Sequence, residues 1–430
     1  MNGKVKIGLM GLGTVGTGVV RLVESFQEDL FKQTGSSLEI SRILIKNPDK
    51  KRSIYVHPDK LTTNPDDLIY DDEIEVVIEV MGGIEPARTY ILEAFENGKH
   101  VVTANKDLLA AHGDELLRKA AEKGCDLFYE ASVAGGIPIL KTVVEGFSSD
   151  RITQIMGIVN GTTNYILTKM TQEGLPFEQV LREAQELGYA EPDPTSDVEG
   201  LDAARKMAIL ATLGFHVGMK WDDVACKGIS EVTQEDIRYG KQLGYTMKLI
   251  GIAKRDDDCV EVSVEPTFVA NSHPIANVND VFNAVYVYGE AVGETMFYGP
   301  GAGELPTATA VLSDLVTVVK NSKLGINGRE MAFPYHEKRL KSPEQIFAKY
   351  FVRLIVQDES GVLARIAKLM AENEISLEKV LQEPYGKEDA ELIIVTHSAS
   401  KASIEQFLEE VQELHIVKEL KSCYRVEGGE

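Results

Sequence analysis

The sequence predicts an α/β protein of several domains, with a doubly wound parallel sheet at the N-terminus, an α+β middle and a βαββαβ sandwich at the C-terminus. Three observations point there. Short apolar runs alternate with helical patterns over roughly the first 140 residues, the signature of βαβ units. That rhythm then gives way to a helix-rich stretch followed by isolated strand patterns. From residue 349 onward, strand, helix, two strands, helix and strand follow one another. A chain of 430 residues exceeds what one core serves, and 43% hydrophobic residues supply several.

The strand-like runs of the first region are Val5 to Met10, Leu38 to Ile45, Val76 to Val80, His100 to Thr103 and Leu127 to Tyr129. Each is mostly apolar rather than alternating, as expected when helices cover both faces of a sheet. Residues 139–303 form the α+β middle, where Val260 to Val264 and Val285 to Tyr288 read as strands. Leu305-Pro306 opens an apolar helix that returns to the first domain, so this domain comprises 1–138 and 304–325. Residues 326–348 read as a linker and 349–430 as a ferredoxin-like sandwich. In the last of these, Val352, Leu354 and Val356 alternate along a strand, and Ile404, Phe407, Leu408 and Val411 fall on one helix face. This segment reads as self-contained, so that a cut near Ser342 leaves the rest intact.

A formal net charge of −22 argues against nucleic acid and anionic membrane as partners, because both reward clustered Lys and Arg. Cysteines 125, 226, 259 and 423 lack the spacing of a zinc site, a redox dithiol or a disulfide framework and read as cytoplasmic thiols. The sequence has neither a signal-peptide pattern nor a run of about 20 apolar residues. A small-molecule enzyme in the cytoplasm is the expectation.

Gly11-Leu12-Gly13-Thr14-Val15-Gly16 follows the first strand and opens a helix carrying Val19, Val20 and Val23. Glycines let backbone approach a pyrophosphate, and the helix N-terminus supplies amide donors and partial positive charge. The same turn also serves tight strand-to-helix packing. A chain preferring NAD places an acidic residue at the end of the second strand; here Lys46 stands there, followed by Lys50, Lys51 and Arg52. NADP(H) is therefore favoured and NAD(H) remains possible. The alternative is a patch of ordinary solvated charges.

Ala104-Asn105-Lys106 lies just beyond a strand end, where ligands of such sheets bind. A second cluster runs from Glu191 through Pro192, Asp193, Pro194 and Asp197 to Asp202 and Lys206, on a helix expected from Asp197 to Gly214. Asp202 and Lys206 are then i and i+4, which by itself is also what a surface ion pair looks like.

Taken in order, Gly11 to Gly16, Thr103 to Lys106, Glu130 to Pro138, Asn160 to Ile166, and Gly188 through Asp202 to Lys206 resemble homoserine dehydrogenase. The resemblance covers about residues 1 to 330 and implies a Rossmann-type first domain. It also implies reversible reduction of L-aspartate 4-semialdehyde to L-homoserine by a nicotinamide cofactor, on the route to threonine, methionine and isoleucine. It implies Lys206 as the acid/base, Lys106 as a second lysine at the cofactor and substrate junction, and Glu191 and Asp202 as the carboxylates that hold homoserine, with Asp197 in support. Gly188 and Gly303 match further cofactor contacts. The loop after Glu130 resembles the family's sodium site, with backbone oxygens of Glu130, Val133, Gly135 and Ile137 as ligands; a hinge without an ion is the other reading. In such a reaction negative charge develops on the aldehyde oxygen, and a protonated lysine supplies both a proton and a positive field.

Asp358-Glu359-Ser360-Gly361-Val362-Leu363-Ala364 resembles the turn into the first helix of an ACT domain, with Ser360 where the motif usually has Pro. The resemblance implies either feedback by a pathway amino acid, threonine first, or a module that only pairs subunits. Both accord with a homodimer or homotetramer. Two other functions compete. A nucleotide- and amino-acid-sensing regulator needs no Lys106, Asp202 and Lys206 constellation. An acylating semialdehyde dehydrogenase, as another semialdehyde oxidoreductase, needs a cysteine nucleophile in a suitable loop motif.

Overall fold

The computed structural model describes residues 3–328 and 334–428. Two compact units emerge: one of residues 1–155, 205–224 and 283–337, the other of 156–204, 225–282 and 338–430. Part of the expected linker, 329–333, lies outside the described residues.

In the first unit, β1 (Gly3–Met10), β2 (Ser36–Leu44), β3 (Leu61–Thr62), β4 (Ile74–Glu79), β5 (His100–Thr103) and β6 (Leu127–Phe128) form one sheet in the order β3-β2-β1-β4-β5-β6. Every pairing is parallel. This is the order expected of a dinucleotide-binding fold. The two-residue β3 is too short to leave a pattern in the sequence.

The apolar strands are buried on both faces. On one, Val19, Val20 and Val23 of the helix Thr14–Ser25 pack with Val311, Leu315 and Val318 of the returning helix Glu304–Leu324. On the other lie Ile91 and Phe95 of the helix Ala87–Glu96 and Leu116 and Leu117 of the helix Lys106–Lys123. The first pair of helices approaches closely at Gly18, where a β-carbon would sit 2.5 Å from the Glu304 carbonyl oxygen. A hairpin of strands Phe282–Gly289 and Gly293–Pro300 leads into the returning helix.

In the second unit, β7 (Tyr245–Asp256), β8 (Cys259–Ala270), β9 (Phe347–Gln357), β10 (Leu377–Tyr385), β11 (Asp389–Thr396) and β12 (Val417–Glu427) are ordered β7-β8-β12-β9-β11-β10. The last four strands, with helices Val362–Glu372 and Lys401–Gln412, give the expected βαββαβ order. Tyr350, Val352, Leu354 and Val356 face those helices together with Ile366, Met370, Ile404 and Phe407.

This segment does not stand alone as expected. Strand β12 pairs in parallel with β8, Thr267 beside Arg425 and Val269 beside Glu427. The sheet face away from its helices carries Glu391 and Arg353, whose guanidinium pairs with Glu391 and with Asp236 of the helix Gln234–Gln242. A cut near Ser342 would leave Asp236 and the Phe268 ring without their cover. The sequence pattern records only the apolar face; the charged one takes its partners from more than 100 positions away.

A second correction concerns the helix expected from Asp197 to Gly214. It is two helices, Thr195–Val198 and Leu201–Phe215, broken at Gly200, whose φ of +79° suits glycine.

Candidate active site

Each unit carries its own set of predicted residues. In the first, Gly11 has φ +104°, and a β-carbon there would meet the Val80 carbonyl at 2.8 Å; one at Gly16 would lie 2.2 Å from the Gly11 carbonyl. Gly13 is different: nothing lies within 4 Å of its missing β-carbon. Gly13 caps the helix Thr14–Ser25 with no side-chain hydrogen bond, and the first turn holds no acidic residue. Leu12, Thr14 and Val15 complete the loop. Open space in front of uncapped amide donors suits an anionic pyrophosphate, so the loop fits a dinucleotide.

Lys46 is exposed two residues beyond the end of β2, beside a loop closed on itself by Arg52, which donates to the carbonyls of Asn47 (2.7 Å) and Lys50 (2.9 Å). Arg52 therefore shapes the loop, while Lys46, Lys50 and Lys51 remain at its surface. Gly303, φ +127°, caps the returning helix.

Asn105 explains how Lys106 is held. Its Oδ1 accepts from Leu108 N–H (3.1 Å), capping the helix that Lys106 opens, and its Nδ2 donates to the Gly83 carbonyl (2.7 Å). Next to Lys106, the carboxylate of Asp107 pairs with Arg205 at 3.3 Å. The sequence neighbours of Lys106 and Lys206 are thus in contact, which brings together the helices that carry these lysines.

The loop after Glu130 is buried, with Val133, Ala134 and Ile137 inaccessible and Ala134 at φ +49°. Glu130 accepts from Leu140 N–H (2.7 Å) and Lys141 N–H (2.8 Å), and its own N–H donates to Asp314 (2.8 Å). Burial, with the Asp314 carboxylate nearby, pushes the Glu130 carboxyl up to about 7. Gly135 admits no β-carbon, which would come within 3.0 Å of Thr307 and the Gly301 carbonyl. Among the described residues, no group of three or more His, Cys, Asp or Glu side chains is placed to hold a metal ion. Of the four expected ligand oxygens, that of Ile137 already accepts from Ile139 N–H (2.8 Å); neutral carbonyls in a tight turn are a donor class that suits a hard monovalent cation.

In the second unit Asn160 is the organiser, a role that its sequence position alone does not reveal. Its Oδ1 caps the helix Gly161–Glu173 through Thr163 N–H (2.9 Å), while its Nδ2 donates to Asp197 (2.7 Å) and Asp202 (2.9 Å). The two predicted carboxylates are therefore brought together, with Asp202 buried. The cap alone was legible, in Asn160-Gly161-Thr162-Thr163, an N-cap residue ahead of a helix. Glu191 is exposed in a turn whose carbonyls at Glu191 and Pro192 accept from Gln185. Gly188 (φ +77°) begins that turn, and Thr162 donates to the Tyr189 carbonyl (2.7 Å).

Three family models match in register: the homoserine dehydrogenase NAD-binding domain over residues 11–130, the homoserine dehydrogenase domain over 138–316 and the ACT domain over 350–415. A homoserine dehydrogenase of Bacillus subtilis is 56% identical over 427 residues, 99% of either chain. The chain belongs to the homoserine dehydrogenase family. It is an oxidoreductase with a dinucleotide-binding domain, and the reaction is the reversible reduction of L-aspartate 4-semialdehyde to L-homoserine. This removes the non-enzymatic regulator and the acylating enzyme from consideration. Among solved structures, the homoserine dehydrogenase of Thiobacillus denitrificans has a TM-score of 0.94 at 40% identity, with complete coverage of both chains. A hyperthermophilic archaeal homoserine dehydrogenase in complex with NADPH covers 76% of this chain and 100% of its own, with a TM-score of 0.61 at 27% identity. Among the described residues no helix is long and apolar enough to cross a membrane.

Proposed function

We propose that Lys206 is the acid/base of this dehydrogenase, with Lys106 as its electrostatic partner and Asp202, Glu191 and Asp197 as the carboxylates that hold the amino-acid end of homoserine. The observation that carries the reading is the Asp107–Arg205 ion pair, which joins the helices bearing the two lysines. When bound, the nicotinamide cofactor gives or takes the hydride. The protonated Lys206 amine gives its proton to the aldehyde oxygen in reduction, and its neutral amine takes the hydroxyl proton in oxidation. Asp202, fixed by Asn160, presents a carboxylate that suits the substrate ammonium.

NADP(H) is the favoured cofactor and NAD(H) the lesser one. The exposed Lys46, Lys50 and Lys51 beyond β2 suit a 2′-phosphate, and a related enzyme has been solved with NADPH. The carbonyls of Glu130, Val133, Gly135 and Ile137 would hold sodium, whose charge would act beside the buried Glu130 carboxylate, Asp314 being paired with Lys141 at 2.9 Å. The ACT domain takes a pathway amino acid, threonine first, in a cytoplasmic homodimer or homotetramer serving threonine, methionine and isoleucine synthesis.

Steady-state kinetics with NADPH and NADH, repeated with threonine, methionine or lysine present, tests these assignments together. A higher kcat/KM with NADPH and inhibition by threonine are expected. Preference for NADH, or indifference to every pathway amino acid, would remove the corresponding assignment.

A further inference from the structure

The last residue of β4, Glu79, is fully buried at the carboxyl edge of the first sheet. Its Oε1 accepts from the N–H groups of Met81 (2.8 Å) and Gly82 (3.4 Å), and its Oε2 accepts from the Thr103 hydroxyl (2.6 Å). The Thr103 oxygen in turn accepts from Asn105 N–H (3.0 Å), and Asn105 reaches back to the Gly83 carbonyl (2.7 Å). The contacts close a ring: Glu79, the loop 81–83, Asn105, Thr103 and Glu79 again. Lys106 follows directly on this ring, as the first residue of the helix that Asn105 caps.

Two features set Glu79 apart from an ordinary structural carboxylate. The Met81 and Gly82 amides, the Thr103 hydroxyl and the Asn105 side chain all donate to it and none requires it to donate, so the ring suits the charged form. Burial pushes its carboxyl up overall, against the downward pull of these hydrogen bonds. The described partners of its oxygens are amides and a hydroxyl, not a cation. When ionised, Glu79 places a negative charge in low permittivity at the end of β4. In a sheet of this order, strands β4 to β6 form the half that receives the nicotinamide end of the cofactor.

We propose that Glu79 is a positioning residue for the dehydrogenase reaction: through the Thr103–Asn105 ring it fixes the backbone that carries Lys106, and its buried charge favours the cationic, oxidised form of the nicotinamide cofactor over the neutral, reduced form. A fixed charge of this kind acts without reorganisation, as in other preorganised sites. The inference rests on the dinucleotide-binding reading of the sheet, and loss of cofactor binding altogether would signal failure of that reading rather than of this one.

The test is the ratio of dissociation constants for NADP+ and NADPH, measured by titration of the full-length protein, together with kcat. Glu79→Gln keeps size and removes charge. It should weaken NADP+ relative to NADPH by roughly 10-fold, the scale of a unit charge lost from about 12 Å away at an effective permittivity of about 20. Thr103→Val leaves the charge but opens the ring, so kcat should fall while the ratio holds. If Glu79→Gln does not fold, Glu79→Asp decides: its charge is kept and its reach shortened, so kcat should again fall with the ratio held. A Glu79→Gln ratio equal to wild type, or a ratio that moves in the charge-retaining variants as much as in Glu79→Gln, overturns the proposal.

Discussion

The sheet β3-β2-β1-β4-β5-β6 and the run of strands β7-β8-β12-β9-β11-β10 within the larger sheet treat charge differently. In the first, the strand interiors are apolar on both faces, and polar groups such as Glu79, Thr103 and Asn105 gather at the carboxyl edge, next to the loops. In the second, ions sit in the middle of a covered face. Arg353 bridges Asp236 (2.8 Å) and Glu391 (2.6 Å), Ser422 and Tyr424 donate to Asp236, and Arg425 pairs with Glu261 and Glu427. An edge of loops leaves chemistry accessible to ligands. A buried network instead fixes which surfaces meet, since a lone ion in that layer is costly whereas an apolar surface accepts many partners.

The largest expected effect breaks that network. Asp236→Ala leaves the buried Arg353 guanidinium without its main partner and should cost about 3–5 kcal/mol of unfolding free energy, read from urea melts. A loss under about 1 kcal/mol would mean that the second sheet is held by its apolar face alone, and the contrast with the first would vanish. The counterpart in the first sheet is Gly16→Ala. Its β-carbon would stand 2.2 Å from the Gly11 carbonyl, so the loop must shift, and affinity for the dinucleotide should fall by about 10²-fold while the melt changes less. Retained affinity would show that the loop is not the phosphate cradle.

Lys248 sharpens the comparison further, as a buried cation of the second unit. Its ammonium donates to the Val278 carbonyl (2.6 Å), Asn164 (3.1 Å) and Asn279 (3.2 Å), and burial pulls it down to about 8. An unfolded lysine titrates near ~10.4, so between these values the unfolded chain binds more protons than the native one. Stability should therefore rise with pH across that window, by about 2 kcal/mol between pH 7.5 and 9.5, and fall back as pH drops through 8. Comparing urea midpoints near pH 7.5 and 9.5, Lys248→Met should lack this rise; identical pH shifts in both proteins would refute it. The smallest effect belongs to the exposed edge of the first sheet. Lys46→Asp should shift the NADPH-to-NADH ratio of kcat/KM by about 10-fold toward NADH. An unchanged ratio would take Lys46 out of the site.

The same contrast accounts for what the sequence revealed. Sheet order, the glycine loop, the Asn105–Lys106 edge and the βαββαβ order depend on neighbours a few positions apart, and all left periodicities or motifs. Asn160 was legible as an N-cap but not as the residue that joins Asp197 to Asp202, because that contact spans 42 positions. The cover over Arg353 and Glu391 left no trace for the same reason: one charged residue inside a strand looks the same whether it meets water or Asp236. Gly200 gives no break signal in the sequence because a single glycine in a helical pattern is ordinarily tolerated, and here it stops the helix at φ +79°.

The assignment of Lys206 is tested most directly by the pH–rate profile of homoserine oxidation in wild type and Lys206→Met, with cofactor affinity measured alongside. Lys206→Met should lower turnover by about 10²-fold or more and flatten the alkaline limb, leaving cofactor affinity nearly unchanged; Lys206→Arg should not rescue it, because a guanidinium keeps its proton. Near-normal turnover with the alkaline limb intact would contradict the account and leave Asp202 and Lys206 as an i, i+4 pair on a helix.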